Sequence, residues 1–183
     1  MNKEGRHMPK VIPSLRESLI DAARKRLLYS DSHDITMRQI AADCNAAAGT
    51  AYNYFRSKEH LMATVMMRDW RETCRSLTEA AAQSEDLVCG LRAIEGQLRD
   101  YVNRYRPAWN NYAGHEAVAA RLERHRGNLI NPVADAIAVL LEKHGRPAFD
   151  GEAAGLAEIL LVTAQREPEA VERLLPVIKK IVF

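Results

Sequence analysis

Hydroxyl, amide and cationic side chains cluster between residues 36 and 58, among small residues that would let a helix approach another surface closely. Side chains of these types hold phosphate oxygens, and some also hydrogen-bond to the edges of bases. The candidate contact residues in the middle of this segment are Ala47, Ala48, Gly49, Thr50, Tyr52, Asn53 and Tyr54. Their types and density predict a surface that binds double-stranded DNA.

Two short helices with a tight turn between them are predicted to present these side chains. The first begins with Thr36-Met37-Arg38-Gln39, a capping box in which the Thr hydroxyl and the Gln side chain each accept from the other residue's backbone N–H. Asn45 is the predicted turn residue, because Asn tolerates the left-handed backbone conformation. A pair of helices joined in this way is typical of a helix-turn-helix, whose second helix enters the major groove while the first crosses the backbone.

The second of these helices is very short and contains the residues from Gly49 to Tyr54. A helix of this length is stable only when it packs on its neighbours, and Phe55 and Tyr52 are the predicted anchors. A further helix, capped by Ser57, has Lys58 in its first turn, where an ammonium group and exposed N–H groups both favour a phosphate.

The same segment resembles the signature of the TetR family of transcriptional regulators. The matching residues are Thr36-Met37-Arg38-Gln39-Ile40-Ala41 and Ala48-Gly49-Thr50-Ala51-Tyr52-Asn53-Tyr54-Phe55-Arg56-Ser57-Lys58-Glu59-His60-Leu61, within a resemblance that extends from Leu15 to Leu61. Abundant helix-forming residues and the absence of alternating strand patterns predict an all-α fold, and residues 1–13 are expected to form a flexible arm. The resemblance implies a three-helix helix-turn-helix domain at 14–60 and a helical effector-binding and dimerisation domain at 61–183. It implies that Thr36 and Arg38 contact the DNA backbone or bases from the first of the two helices. It also implies a homodimeric, ligand-responsive repressor of a palindromic operator, with an unknown small-molecule effector.

Three positions depart from the family pattern. Ala47 stands where Ser or Thr is common, Ala48 stands where a polar base-contacting residue is frequent, and Asn45 stands in place of the turn Gly. Direct readout is then expected from Asn53, from Arg38 and from methyl contacts with thymine. We therefore predict modest sequence discrimination per half-site, with backbone contacts dominating.

Aromatic residues concentrate in the middle of the chain, with polar residues between them. A pocket between helices, apolar with a few polar groups, is one interpretation, and the TetR resemblance implies such a cavity for an effector. A plain core with a polar surface is the other. The candidate pocket residues are Trp70, Tyr101, Tyr105, Trp109, Tyr112 and His115.

Later helices are predicted from Leu87 to Arg106, ending before Pro107, and from Ala108 to Arg126. Three more are expected over Pro132–His144, Gly151–Arg166 and Pro168–Ile181. The apolar stripes at 133–141 and 156–163 are either core or, as the resemblance implies, part of a dimer interface.

Composition excludes several classes of protein. The chain has 183 residues with 47% hydrophobic residues, but no run of about 18 apolar residues that could cross a membrane. Three cysteines without CxxC spacing argue against a disulfide framework or a metal site, and no cofactor is expected. Residues 1–60 contain ten Lys and Arg against seven Asp and Glu, a weak excess of the kind that favours polyanions. We expect a cytoplasmic protein.

Two other functions remain open from the residues alone. A helical enzyme would need titratable residues facing one cavity, and no catalytic motif is recognisable. A helical adaptor that binds protein is opposed, although not excluded, by Arg38, Lys58 and the pair Tyr52 and Tyr54.

Overall fold

The computed structural model describes residues 14–29, 35–112, 126–146, 149 and 151–166, and all regular secondary structure in these ranges is helical. The predicted all-α class is confirmed. The arm at residues 1–13, His115 and the predicted helix Pro168–Ile181 lie outside the described residues. The helices are α1 (Leu15–Tyr29), α2 (Met37–Asp43), α3 (Ala48–Tyr52), α4 (Lys58–Gln83), α5 (Leu87–Tyr112), α6 (Arg126–Lys143) and α7 (Glu152–Ala164).

The chain divides into two compact units, Met1–Arg68 and Asp69–Phe183, so the boundary falls within α4. The domain ranges expected from the sequence, 14–60 and 61–183, stay a prediction.

The core of the first unit is built from one face each of α1, α2, α3 and the start of α4. Apolar side chains recur there at the three-to-four-residue spacing of a buried helical face. The fully buried members are Leu19, Ala23, Ile40, Ala41, Ala51, Phe55, Leu61 and Val65. Because these side chains occupy one face of each helix, the opposite faces of α2 and α3 are left for polar residues.

The core of the second unit lies where α5, α6 and α7 pack together. Its buried side chains on α6 and α7 include Val133, Ala136, Ile137, Leu140, Leu141, Leu156 and Leu160. A Cβ added at Gly90 would lie 2.3 Å from Leu140 Cδ1, so glycine permits the close approach of α5 to α6 at this point. The α6 stripe predicted from the sequence is therefore core.

Two predicted helix boundaries at prolines are wrong. Helix α5 continues through Pro107 to Tyr112, and α6 begins at Arg126, which places Pro132 inside it. Proline inside a helix leaves the carbonyl of the residue four positions earlier without its intrahelical donor. For Pro132 that carbonyl belongs to Asn128, and the Trp70 indole N–H donates to it at 3.1 Å. A tertiary hydrogen bond thus offsets part of the local penalty.

Candidate nucleic-acid interface

The start of α2 has the predicted capping box. Thr36 has an extended backbone, with φ −118° and ψ 153°, and its side chain accepts from the Gln39 backbone N–H. The Gln39 side chain accepts in return from the Thr36 backbone N–H at 2.9 Å. Met37 and Ile40 are buried while Arg38 is exposed, so the cap fixes which face of α2 points outward.

The predicted turn at Asn45 is confirmed by its φ of 52°. The Ala46 N–H donates to the Ala41 carbonyl at 2.9 Å, and the Asn45 N–H donates to the Ala42 carbonyl at 3.0 Å. This pair of hydrogen bonds is a Schellman motif, which ends α2 and satisfies two of its last carbonyl groups. The turn thereby sets the direction in which the chain enters α3.

Helix α3 has five residues and no side-chain cap at Ala47, as the alanine there predicted. Ala51 and Phe55 are both fully buried. The Cζ atom of Arg16 lies 5.4 Å from the centre of the Phe55 ring. The predicted anchor at Phe55 is confirmed. The predicted anchor at Tyr52 is wrong, because 52% of Tyr52 is exposed.

All ten predicted contact residues lie outside the core of the first unit. The exposed ones are Thr36, Arg38, Ala47, Gly49, Tyr52 and Asn53, and the half-buried ones are Ala48, Thr50, Tyr54 and Lys58. A Cβ added at Gly49 would meet no atom within 4 Å, so this glycine is not required for packing inside the protein. Its place at the exposed start of α3 fits the close approach to another molecule.

Lys58 lies in the first turn of α4, which Ser57 caps by accepting from the His60 backbone N–H at 3.2 Å. Arg56, an exposed cation between α3 and Lys58, is absent from the contacts predicted from the sequence. It lies two residues before Lys58, in the segment that connects α3 to α4.

Ion pairs hold these helices together within the first unit. Arg26 on α1 makes a two-pronged contact with Asp43 at the end of α2, and its Nη2 lies 2.7 Å from Asp43 Oδ1. This hydrogen bonding lowers the pKa of Asp43. Arg68 Nη2 lies 2.7 Å from Asp21 Oδ1 and ties α4 to α1. These ion pairs connect α1 to the end of α2 and to α4.

Three of the six candidate pocket residues come together in the second unit. The Trp70 and Tyr101 rings have centroids 5.0 Å apart, those of Tyr101 and Tyr105 are 5.1 Å apart, and all three side chains are buried. Trp109 and Tyr112 belong to α5, but the arrangement of their side chains, like His115, lies outside what the structure describes.

A buried carboxylate that sequence reasoning missed borders this aromatic group. Asp69 is 1% exposed, accepts a hydrogen bond of 2.6 Å from the Tyr105 hydroxyl and lies 3.5 Å from Arg104 Nη1. Burial, together with the Asp69 charge, raises the pKa of the Tyr101 hydroxyl above its ordinary value. An acid directly before Trp70 in an otherwise apolar stripe is the signal that could have found it.

The described residues contain neither a helix suited to spanning a membrane nor a cluster of metal-ligating side chains. No helix there has both the length and the apolar character needed to cross a bilayer. Within the same ranges, no three or more His, Cys, Asp and Glu side chains are grouped so that they could hold a metal ion.

Comparison with known sequences identifies a matching family model and several relatives. The model of the family described as "Bacterial regulatory proteins, tetR family" matches residues 19–65. The HTH-type transcriptional regulator BetI of Brucella canis is 27% identical over 122 residues, which cover 64% of this chain and 62% of the regulator. The alignment thus spans less than two thirds of the length of that relative.

Comparison with solved structures supports the fold over nearly the whole chain. A transcriptional regulator from Cytophaga hutchinsonii aligns with a TM-score of 0.65 at 15% identity, covering 92% of this chain and 95% of that one. A TetR-family transcriptional regulator from Streptomyces coelicolor aligns with a TM-score of 0.54 at 17% identity, covering 91% and 93%. At these identities the likeness shows a shared fold.

Proposed function

We propose that this chain, which belongs to the tetR family of bacterial regulatory proteins, is a transcriptional regulator that binds a DNA operator through α2, the turn at Asn45 and α3. The observation that supports this most directly is the shape of the first unit. Its apolar residues are buried on one side, while the polar and small residues of α2 and α3 are exposed on the other. This is the arrangement by which a helix-turn-helix presents its second helix to the major groove.

The exposed residues favour close approach and phosphate contacts over extensive base readout. Ala47, Ala48 and Gly49 bring the start of α3 near the groove, and Asn53 offers an amide that can pair with adenine. Lys58 and Arg38 supply charges for phosphates. Binding of this kind depends strongly on salt, because each neutralised phosphate releases counterions.

We further propose that the chain acts as a homodimer and represses transcription. Helix α7 buries Leu156, Ala157 and Leu160 but leaves Ile159 and Val162 exposed, at 41% and 50%. Exposed apolar residues on an apolar helix are suited to an isologous contact with a second copy. A two-fold dimer would present two α3 helices to a palindromic operator.

The aromatic group formed by Trp70, Tyr101 and Tyr105, with the adjacent Asp69, is the part of the second unit best suited to an effector. It combines apolar surface with a few polar groups, as small-molecule sites do. Because α4 contributes residues to both units, ligand binding would change operator affinity through this helix. Only a ligand with different affinities for the DNA-binding and released states can do so.

A gel shift with the DNA next to the protein's own gene tests the proposal. We expect the wild-type chain to retard this duplex and Lys58→Glu to abolish the shift while retaining its helical circular dichroism. If wild type and Lys58→Glu behave alike, the proposed surface is wrong. A compound that raises the melting temperature of the chain yet leaves operator affinity unchanged at saturation would contradict the switching mechanism.

A further inference from the structure

Gln39, in the first turn of α2, has an amide group whose oxygen is fully used within the protein. Its Oε1 accepts hydrogen bonds from both the backbone N and the Oγ1 of Thr36, each at 2.9 Å. Thr36 Oγ1 accepts in turn from the Gln39 backbone N at 3.2 Å. Two donors occupy both lone pairs of Oε1 and fix the plane of the amide, so the two N–H groups of Nε2 are directed away from the cap.

Thr36, by contrast, has no donor to offer without breaking the cap. Its hydroxyl hydrogen and its backbone N–H are both directed at Gln39 Oε1. A DNA contact made by the Thr36 hydroxyl would therefore compete with the hydrogen bonds that start α2. Gln39 is exposed, and its Nε2 can reach a ligand while the cap stays intact.

We propose that Gln39 Nε2 donates a hydrogen bond to a DNA phosphate oxygen, with the capping box orienting the amide before DNA binds. This inference rests on the proposed function, in which α2 crosses the sugar-phosphate backbone. Glutamine amides are common donors to phosphate oxygens, and the neighbouring Arg38 is an exposed cation that adds positive charge to this turn of α2. A donor already held in place loses little side-chain freedom on binding.

The variant Gln39→Glu separates the capping role from the DNA contact. Glutamate keeps the oxygen that accepts from Thr36 and is itself common in capping boxes, but it has no N–H to donate. We expect Gln39→Glu to melt at the same temperature as wild type. Its operator affinity should be lower by about tenfold or more, because a carboxylate replaces a hydrogen-bond donor beside a phosphate.

Ala42→Glu is the matched control for charge. Ala42 is another exposed position of α2 and plays no part in the cap. The same negative charge placed there is screened by salt and makes no short contact with a phosphate, so affinity should fall by less than about threefold. A loss from Gln39→Glu no greater than that from Ala42→Glu would overturn the proposal.

Phosphate ethylation interference identifies the contact itself. With Gln39→Ala, which adds no charge, and with Gln39→Glu, interference should disappear at one phosphate in each half-site and persist at all others. Gln39→Ala is measured well below its own melting temperature, because it also loses the cap. If both variants keep every interfering phosphate seen with wild type, Gln39 is a capping residue only. If the wild-type chain itself shows no operator footprint, the proposed DNA-binding function is contradicted, and not only the Gln39 contact.

Discussion

The exposed start of α3 consists of Ala47, Ala48 and Gly49, which have no polar side-chain atom to place against a base. Asn53, which follows the last residue of α3, offers an exposed amide. Specificity should therefore depend on few side chains, while affinity depends on the cations and hydroxyl groups around them. Base preference and the salt dependence of affinity distinguish the two kinds of residue.

Asn53→Ala and Lys58→Ala should weaken binding in different ways. Losing a phosphate contact at Lys58 should weaken all sequences about equally and reduce the slope of log affinity against log salt by about 1. Losing a base contact at Asn53 should relax the preference at one base pair and leave the slope unchanged. Arg71→Ala, at an exposed cation of the second unit, is the control and should change neither. Equal slopes for wild type and Lys58→Ala would contradict the assigned phosphate contact.

The three cysteines should react slowly with alkylating agents near neutral pH. Burial raises the pKa of the Cys44 thiol, and raises that of Cys74 to about 11. At Cys89 the hydrogen bond from the thiol to Asp86 raises the pKa. Since the thiolate is the nucleophile, each cysteine is less reactive than a free thiol. Iodoacetamide labelling at pH 8 followed by mass spectrometry checks this, and one cysteine that labels faster than glutathione would refute it.

Residue roles that depend on near neighbours could be predicted from the sequence, and roles that depend on distant partners could not. The capping box at Thr36 and the anchor at Phe55 follow from the residues around them. Tyr52 was expected to anchor α3, but it is exposed, and Ala51 and Phe55 are the buried side chains at this helix. Asp69 is explained by Tyr105, which is far away along the chain.

At the scale of elements, the turn at Asn45 determines how α3 follows α2. Asn45→Gly should leave stability near that of wild type, whereas Asn45→Val should cost about 1–2 kcal/mol because a β-branched residue is strained at positive φ. Chemical denaturation measures both. Equal stability of the valine and glycine variants would show that the turn does not depend on the left-handed conformation.

The ion pair between Arg26 and Asp43 should make the junction of α1 and α2 sensitive to acid. Because the folded-state pKa of Asp43 is lowered, its stabilisation is fully present above the unfolded pKa of about 4 and is lost as pH falls through the folded value. The pair is partly exposed, so the effect should not exceed about 1 kcal/mol. Unfolding free energies between pH 6 and pH 2.5 should fall more steeply for wild type than for Asp43→Asn. Parallel curves would contradict this.

Helix boundaries show the same limit of sequence reasoning at the element scale. The predicted end before Pro107 followed the local penalty of proline inside a helix, and the predicted start at Pro132 followed the preference of proline for the first turn. At Pro132 the Trp70 indole N–H binds the Asn128 carbonyl, and no local pattern indicates that partner. The end of α6 at Lys143 and the Schellman turn of α2 at Asn45 depend on local geometry, so they are easier to predict from the sequence.

At the scale of the whole molecule, the chain combines a first unit that has the exposed α2 and α3 surface with a second unit that has an aromatic group and the exposed apolar residues Ile159 and Val162 on α7. The all-α class and the similarity of the first unit to the tetR family could be predicted, because one dense signature lies in the first unit and helical periodicity continues through the second. The signature does not extend to α7, so the dimer and the effector remain proposals. They can be tested together with the DNA site.

Selection of bound duplexes from a random DNA library by the purified chain, followed by sequencing, tests the central claim most directly. We predict enrichment of an inverted repeat whose half-site centres are separated by about one helical turn of roughly 10 base pairs, or a multiple of it. The enriched duplex should bind two chains, and Lys58→Glu should enrich nothing. A folded wild-type chain that enriches no common sequence would contradict the conclusion that α2 and α3 form a sequence-specific DNA-binding surface.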